Sequence, residues 1–184
     1  MIVFWRDTPF TGPEYALSDA VNVAHRKSAL RNNASTVALK NAAGGSGSFE
    51  MALASALLTL GGKHAPIARI YRTLDQPVSS LLESIEAKLC AKDKVEGWGN
   101  SFFKNRPDPD WEPVQEVLGS FPEMNRKVVE VTALLHSYDK HVFPNAGAYT
   151  AATAIILGIP AEVASSLLII ARLPVWAHLA SKEL

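Results

Sequence analysis

The sequence has a single cysteine, Cys90, among its 184 residues. One cysteine excludes an internal disulfide and a zinc site built from cysteines. The chain also has no excess of either charge, because 18 basic side chains balance 18 acidic ones. A nucleic-acid interface would require a clustered basic excess, so we predict no nucleic-acid partner. Cys90 falls on the apolar side of a predicted helix, and we expect it to be buried as a small hydrophobic residue.

Long uninterrupted apolar runs are missing as well. A membrane-spanning helix needs about 20 apolar residues, whereas the apolar stretch 155–180 is interrupted by two prolines and by Glu162 and Arg172. Arg6 and Asp7 lie where a signal peptide would have its hydrophobic region. We therefore predict a soluble, cytoplasmic protein without a membrane partner.

The alternation of apolar and polar residues that marks a half-buried strand is almost absent. Apolar residues instead recur at helical spacing, as at Leu17, Val21 and Ala24, or at Val128 and Val131. With 48% hydrophobic and 20% charged residues the chain can bury a core. The pattern predicts an all-α protein whose many short helices pack through small residues.

Proline, glycine and asparagine separate the predicted helices. The helices are expected at about 13–31, 34–42, 49–60, 66–74, 77–94, 112–118, 123–138, 149–157, 161–172 and 174–180. Residues 1–12 are expected to form an edge strand or an anchoring arm. The helix 49–60 is apolar on nearly every side, which predicts burial all round, either at the centre of the domain or in a subunit interface.

A tight corner is predicted directly after that helix, where Gly61 and Gly62 precede His64. Pro66 then suits the first turn of the next helix, and the free N–H groups there favour negative charge. His64 is therefore a candidate for holding an anion or a polarised carbonyl. The alternative is an ordinary surface histidine in a helical corner.

A second loop is predicted at 95–100, where Gly97 and Gly99 flank Trp98. This arrangement either exposes backbone groups beside a flat hydrophobic ring or forms a simple turn with a packed tryptophan. The four other histidines do not converge as metal ligands must. We predict structural roles for them and no metal site; they are His25, His136, His141 and His178.

Five segments follow one another in an order and spacing that resemble the citrate synthase family. They are 33–36 (Asn-Ala-Ser-Thr), 61–64 (Gly-Gly-Lys-His), 95–99 (Val-Glu-Gly-Trp-Gly), 144–145 together with 157–160, and 171–178. The resemblance extends from about Ala24 to the end of the chain. It implies a multi-helical all-α fold with part of the family's large domain in 1–75, the small domain in 76–150, and a return to the large domain in 151–184.

The resemblance also implies a homodimer that condenses acetyl-CoA with a 2-oxo acid through an enol. His64 falls on the family's histidine that polarises the thioester carbonyl, which is the one catalytic group kept. Arg172 falls on an arginine that binds a substrate carboxylate, and Asn100 falls where the family has a histidine for the oxo acid. The positions implied for coenzyme A are Val95, Gly97, Trp98, Gly99 and Lys104.

Other positions depart from the family's pattern. Gly147 falls on the family's aspartate base, and glycine has no group that could remove a proton. Asn100 cannot transfer a proton near neutral pH as a histidine can. Lys27 lies near a second oxo-acid histidine, and Asp110 lies near a substrate-binding arginine, where it would repel a dicarboxylate.

These losses predict a protein that has lost citrate synthase activity, requires no cofactor, and acts as an oligomeric structural or assembly protein with residual coenzyme A binding. The alternative is a divergent acyl-CoA enzyme, a citryl-CoA lyase-like protein or an acyltransferase. It would use His64 and Arg172, and its base would be Glu96, Asp108 or Asp110. A generic helical interaction module is the third hypothesis.

The family comparison implies that the chain lacks the first half of the large domain and a C-terminal tail. Helices 49–60 and 155–173 should then have bare apolar faces, which on a soluble protein indicate an interface. We predict a homo-oligomer, most simply a two-fold dimer through these helices. A second polypeptide that supplies the missing half is the other partner we consider.

Overall fold

A computed structural model describes residues 9–31, 33–64, 66–138 and 140–184, except for the side chains of residues 46 and 61–64. The described residues form nine α-helices, two short 3₁₀ turns at Pro109–Trp111 and Ala161–Val163, and no β-strand. The helices are α1 Gly12–Ala29, α2 Ala34–Ser46, α3 Phe49–His64, α4 Pro66–Leu74, α5 Val78–Cys90, α6 Glu112–Leu118, α7 Pro122–Ser137, α8 Ala146–Ile156 and α9 Ser166–Glu183. The predicted all-α fold is confirmed.

Local side-chain bonds explain where several helices begin and end. At the start of α1, Glu14 Oε2 accepts from the Thr11 backbone N–H at 2.6 Å, as in a capping box. At the start of α2, Asn33 Oδ1 accepts from the Thr36 N–H at 3.1 Å. Gly47 ends α2 with φ of +63°, a conformation that glycine adopts without strain.

The helices pack around one continuous cluster of buried apolar side chains. Helix α9 packs against α1, α2 and α3, and α2 and α3, joined by a short loop, pack against each other. Helix α4 packs on α8, and α8 packs on α1. All three predicted segments contribute to this cluster, and the division into 1–75, 76–150 and 151–184 stays a prediction. Residues 1–8, with most of the predicted arm, lie outside the described part.

Two predicted glycine breaks are wrong. Helix α2 runs through Gly44 and Gly45, and α3 runs through Gly61 and Gly62 to His64, so the helix does not end at Leu60. A glycine inside a helix costs only about 1 kcal/mol relative to alanine. The packing of α2 along α3 outweighs that cost, because the buried Leu39 and Ala43 and the buried Ala52 and Ala56 come from these two helices.

The predicted break between 172 and 174 is also wrong, since α9 continues through Pro174. Proline removes the hydrogen bond to the carbonyl four residues earlier, here that of Ile170. Both residues are exposed, so water can bond the freed carbonyl. By length and composition alone, Ala161–Glu183 could cross a membrane. Helix α9, which forms most of this segment, packs on α1, α2 and α3 and carries the buried Arg172.

Two burial predictions need correction. Helix α3 is not buried all round within this chain, because Met51, Leu57 and Leu58 are exposed while Ala52 and Ala56 face the core. Cys90 is exposed, not buried. The buried stripe of α5 ends at Leu89, and the next residue lies about 100° further around the helix, on the solvent side.

Candidate functional site

A cavity of about 470 Å³ lies between the helices. Its walls come from the end of α1, the start of α2, the end of α3, α4, the loop at 94–102, the first residues of α8, and one residue of α9. The polar side chains that line it are Ser28, Arg31, Asn33, Ser35, Thr59, Lys94, Glu96, Asn100, Ser101, Asp108, Asn145 and Arg172. A volume of this size suits a small organic ligand.

Arg172 brings a buried positive charge to this cavity, as its predicted role requires. Its side chain is 4% exposed, and its Nη2 donates to Ser28 Oγ at 2.9 Å. Among the described residues no carboxylate pairs with it, and its Nε has no hydrogen-bond partner. Burial, and secondly the charge of Arg31, lower the pKa of Arg172 to about 10, so it stays protonated at neutral pH. A desolvated cation without a counter-ion favours an anionic ligand.

Arg31 is a second guanidinium in the cavity, and the sequence did not indicate it. Its Nη1 and Nη2 donate to the two carboxylate oxygens of Asp108, each at 2.7 Å, and Nη2 also contacts Asp110. The bond to Asp108 is the main cause that raises the pKa of Arg31. Because 77 residues separate Arg31 from Asp108, no local pattern in the sequence could have shown the pair.

Asp108 was one of three candidate bases, and its hydrogen bonds occupy it fully. Besides the two bonds from Arg31, it accepts from Asn100 Nδ2 at 3.0 Å and from the Asp110 N–H at 3.1 Å. A carboxylate has about four acceptor positions, and all are taken here. Asp108 therefore holds Arg31, the turn and Asn100 in place, and it has no lone pair left to accept a proton from a ligand.

The other two candidate bases are also engaged. Asp110 contacts Arg31, and it shares the single charge of this cation with Asp108. Glu96 lines the cavity but forms a two-pronged ion pair with Arg69, with contacts of 2.6 and 3.0 Å. The bond from Arg69 lowers the pKa of Glu96, which makes it a weaker base.

Gly147 lines the cavity in the first turn of α8, where the family resemblance implied an aspartate. Its N–H donates to Asn145 Oδ1 at 2.8 Å, which caps the helix. A Cβ added at this position would lie 3.0 Å from Ile70 Cδ1 and 3.1 Å from Asn145 Oδ1. Any side chain here would therefore have to displace the end of Ile70 and disturb the cap.

The loop at 95–100 is a turn around a packed tryptophan, one of the two predicted alternatives. Val95 and Trp98 are buried, and Trp98 Nε1 donates to Thr132 Oγ1 at 2.9 Å. Gly97 and Gly99 have φ of +91° and +88°. Their backbones are partly occupied, because Gly97 O accepts from Asn145 N and Gly99 N donates to Phe143 O, both at 2.9 Å. Coenzyme A binding at Val95, Gly97, Trp98 and Gly99 stays a prediction.

The remaining predicted positions are scattered. Asn100 lines the cavity, but both ends of its amide are bonded, to Asp108 and to the Phe102 N–H. Lys104 lines a smaller cavity of about 190 Å³ next to the main one, with which it shares Asn100 and Asp108. Lys27 is exposed and does not line the main cavity. The side chain of His64 lies outside the described residues.

Two of the described histidines, His25 and His136, take part in packing. His25 is fully buried, with Nε2 2.9 Å from Thr150 Oγ1 and its ring edge-on to Trp111. His136 Nε2 lies 3.1 Å from the Val142 carbonyl oxygen. Within the described part of the chain, no group of three or more histidine, cysteine or acidic side chains could hold a metal ion.

No protein-family model and no curated protein matches the sequence. Solved structures do resemble the fold. Citryl-CoA lyase from Hydrogenobacter thermophilus superposes with a TM-score of 0.78 and 18% identity, over 96% of this chain and 71% of the lyase. Citrate synthase from Thermotoga maritima superposes with a TM-score of 0.77 and 22% identity, over 91% of this chain and 49% of the synthase.

At these identities the likeness is one of fold. It confirms the resemblance that the five sequence segments indicated, and it extends over nearly the whole described chain. The protein therefore has a divergent form of the all-α citrate synthase-like fold.

Proposed function

We propose that this protein binds a carboxylate-bearing small molecule in the 470 Å³ cavity and does not carry out the citrate synthase reaction. The buried guanidinium of Arg172 is the observation that carries the proposal. Its only bond to a described residue is the one to Ser28, which is neutral. A carboxylate that enters the cavity would supply the missing negative charge, in a setting where charge-assisted hydrogen bonds are strong.

Within the described part of the chain, no acidic side chain that lines the cavity is free to act as a base, and this supports the proposal that the citrate synthase reaction does not take place. Proton abstraction needs a basic group within hydrogen-bond reach of the ligand. Of the acidic side chains that line the cavity in the described part of the chain, Asp108 is saturated by four hydrogen bonds and Glu96 is paired with Arg69. Position 147 has no side chain at all. The proposal includes a ligand in which the carboxylate-bearing group is linked to coenzyme A. It also includes a cytoplasmic location for the protein.

Replacing Arg172 with glutamine is expected to weaken the binding of butyrate, a simple carboxylate, by about tenfold or more, because a hydrogen bond to a charged group contributes about 1.5–3 kcal/mol. Ligand-observed NMR titration measures the affinity. Arg126→Gln is the matched control, since Arg126 is exposed on α7 and does not line the cavity. Equal affinity in the wild-type protein and the Arg172→Gln variant would contradict the proposal.

The same protein should show no turnover of acetyl-CoA with oxaloacetate and no cleavage of citryl-CoA. Measurable turnover that Glu96→Gln abolishes would overturn the non-catalytic proposal. It would favour the divergent acyl-CoA enzyme, with Glu96 as the base once a ligand displaces Arg69.

We also propose that a second copy of the chain covers the exposed apolar face of α3. This face consists of Met51, Ala54, Leu57 and Leu58, which recur at helical spacing on one side. Leu58 is 81% exposed, and the helices that pack against α3 also carry exposed apolar residues, namely Val37 on α2 and Ile170 and Leu173 on α9. Helices α2, α3 and α9 contact one another, so these side chains belong to one body. Exposed apolar clusters of this kind mark interfaces.

Leu58→Glu is expected to convert an oligomer into a monomer, because it places a charge in the centre of the buried contact. Light scattering after size exclusion would then give a mass near 19.9 kDa instead of a multiple of it. Val129→Glu is the control, because Val129 is also an exposed apolar residue, at 51% exposure, but lies on α7. A wild-type protein that is monomeric at high concentration would contradict the proposed interface.

A further inference from the structure

The two arginines in the cavity have very different surroundings. Arg31 is bound by two carboxylates of this same chain, those of Asp108 and Asp110. Arg172 has no carboxylate partner among the described residues and is the more deeply buried of the two. The cavity therefore contains one guanidinium whose charge is already compensated and one whose charge is not.

We propose that the cavity selects ligands with one carboxylate over ligands with two, and that Asp110 together with Asp108 determines this selectivity by occupying Arg31. The inference rests on the proposed function, since it assumes that a carboxylate binds at Arg172. It assigns the class of ligand that the cavity accepts, a monocarboxylate. It also assigns a specificity role to Asp108 and Asp110, which act by pairing with Arg31.

The geometry around Arg31 supports the exclusion of a second carboxylate. Both of its terminal nitrogens donate to Asp108, and Nη2 also contacts Asp110. The N–H groups that would bind a ligand carboxylate are therefore already engaged. A second carboxylate would therefore meet the negative charges of Asp108 and Asp110 at close range. Partly buried like charges repel strongly, because little solvent screens them.

Lys94 is the remaining cation among the described residues that line the cavity, and its charge could attract a second carboxylate. Lys94 is exposed at the mouth, where water and salt screen its charge. Glu96, two residues further along, lines the same wall, but its charge is paired with that of Arg69. The solvent around Lys94 is what limits its attraction, so Lys94 does not offer a second carboxylate the dry contact that Arg172 offers the first.

Butyrate and succinate test the inference, because they have the same chain length and differ by one carboxylate. Ligand-observed NMR titrations give both dissociation constants. In the wild-type protein we expect succinate to bind about tenfold more weakly than butyrate, because its second carboxylate finds no free cation and is repelled by Asp108 and Asp110. In Asp110→Asn the ratio of the two constants should shift severalfold toward succinate, because Arg31 is partly released.

Asp19→Asn is the matched control, since it removes the same charge from an exposed position on α1 and should leave the ratio as it is in the wild-type protein. Succinate that binds as tightly as butyrate, or a ratio that Asp110→Asn does not change, would overturn the inference and leave the proposed function standing. If neither acid binds to protein whose circular dichroism shows it to be folded, the proposed function fails, and the inference fails with it.

Discussion

Arg31→Ala is expected to destabilise the protein by about 3 kcal/mol, because it leaves a buried carboxylate without its cation. The side chain of Asp108 is 3% exposed, and Arg31 supplies two of its four hydrogen bonds. Removing one partner of a buried pair typically costs about 3–5 kcal/mol. We take the lower end of that range because Arg31 itself is 21% exposed. Urea unfolding followed by circular dichroism measures the change.

Arg69→Ala is the matched control for this prediction. Arg69 also forms a two-pronged ion pair, with Glu96, but its own side chain is largely exposed. Solvent screens such pairs, and most contribute little to stability, so we expect almost no change in the unfolding midpoint. Equal losses of stability in Arg31→Ala and Arg69→Ala would contradict the prediction, because they would show that solvent reaches Asp108 in spite of its burial.

Trp111→Ala is expected to destabilise the protein by about 3–5 kcal/mol, the usual range for removing a fully buried tryptophan or phenylalanine. Trp111 is 2% exposed, and its ring stacks on Tyr149 with centroids 5.5 Å apart. It also meets the edge of His25 at 4.9 Å, so one ring fills the space between α1 and α8. Thermal and urea unfolding measure the loss.

Two further variants separate the loss of packing from other effects. Trp111→Phe keeps an aromatic ring in the same space, and we expect it to recover more than half of the loss. Phe102→Ala, at an exposed aromatic in the neighbouring loop, should change stability by less than about 0.5 kcal/mol. A Trp111→Ala loss no greater than that of Phe102→Ala would show that this ring does not hold α1 and α8 together.

The two destabilising variants also bear on the cavity, because Arg31, Asp108 and Trp111 all line it. The side chains that stabilise the fold here also shape the binding site. Variants designed to test ligand binding should therefore avoid these three positions. Arg172→Gln and Asp110→Asn meet that requirement, since neither Arg172 nor Asp110 has a buried acidic partner that the substitution would leave unpaired.

The all-α fold could be predicted from the sequence because local interactions determine where its helices lie. Apolar spacing marks the core faces of α1 and α7, and short polar residues cap the helices, as Asn33 does for α2. The order of five short segments was sufficient to indicate the citrate synthase-like fold that the solved structures share. The resemblance also selected Arg172, which lies in a cavity wall, and its role in binding a carboxylate stays a prediction.

Several features were decided only by tertiary structure. Packing between α2 and α3 overrides the glycines that the sequence presents as helix breaks, and exposure of Ile170 to solvent lets α9 continue through Pro174. The ion pair of Arg31 with Asp108 joins residues far apart in the chain, so no periodicity or spacing could indicate it. It determines which guanidinium in the cavity is left for a ligand, because the charge that remains uncompensated depends on which side chains the fold brings together.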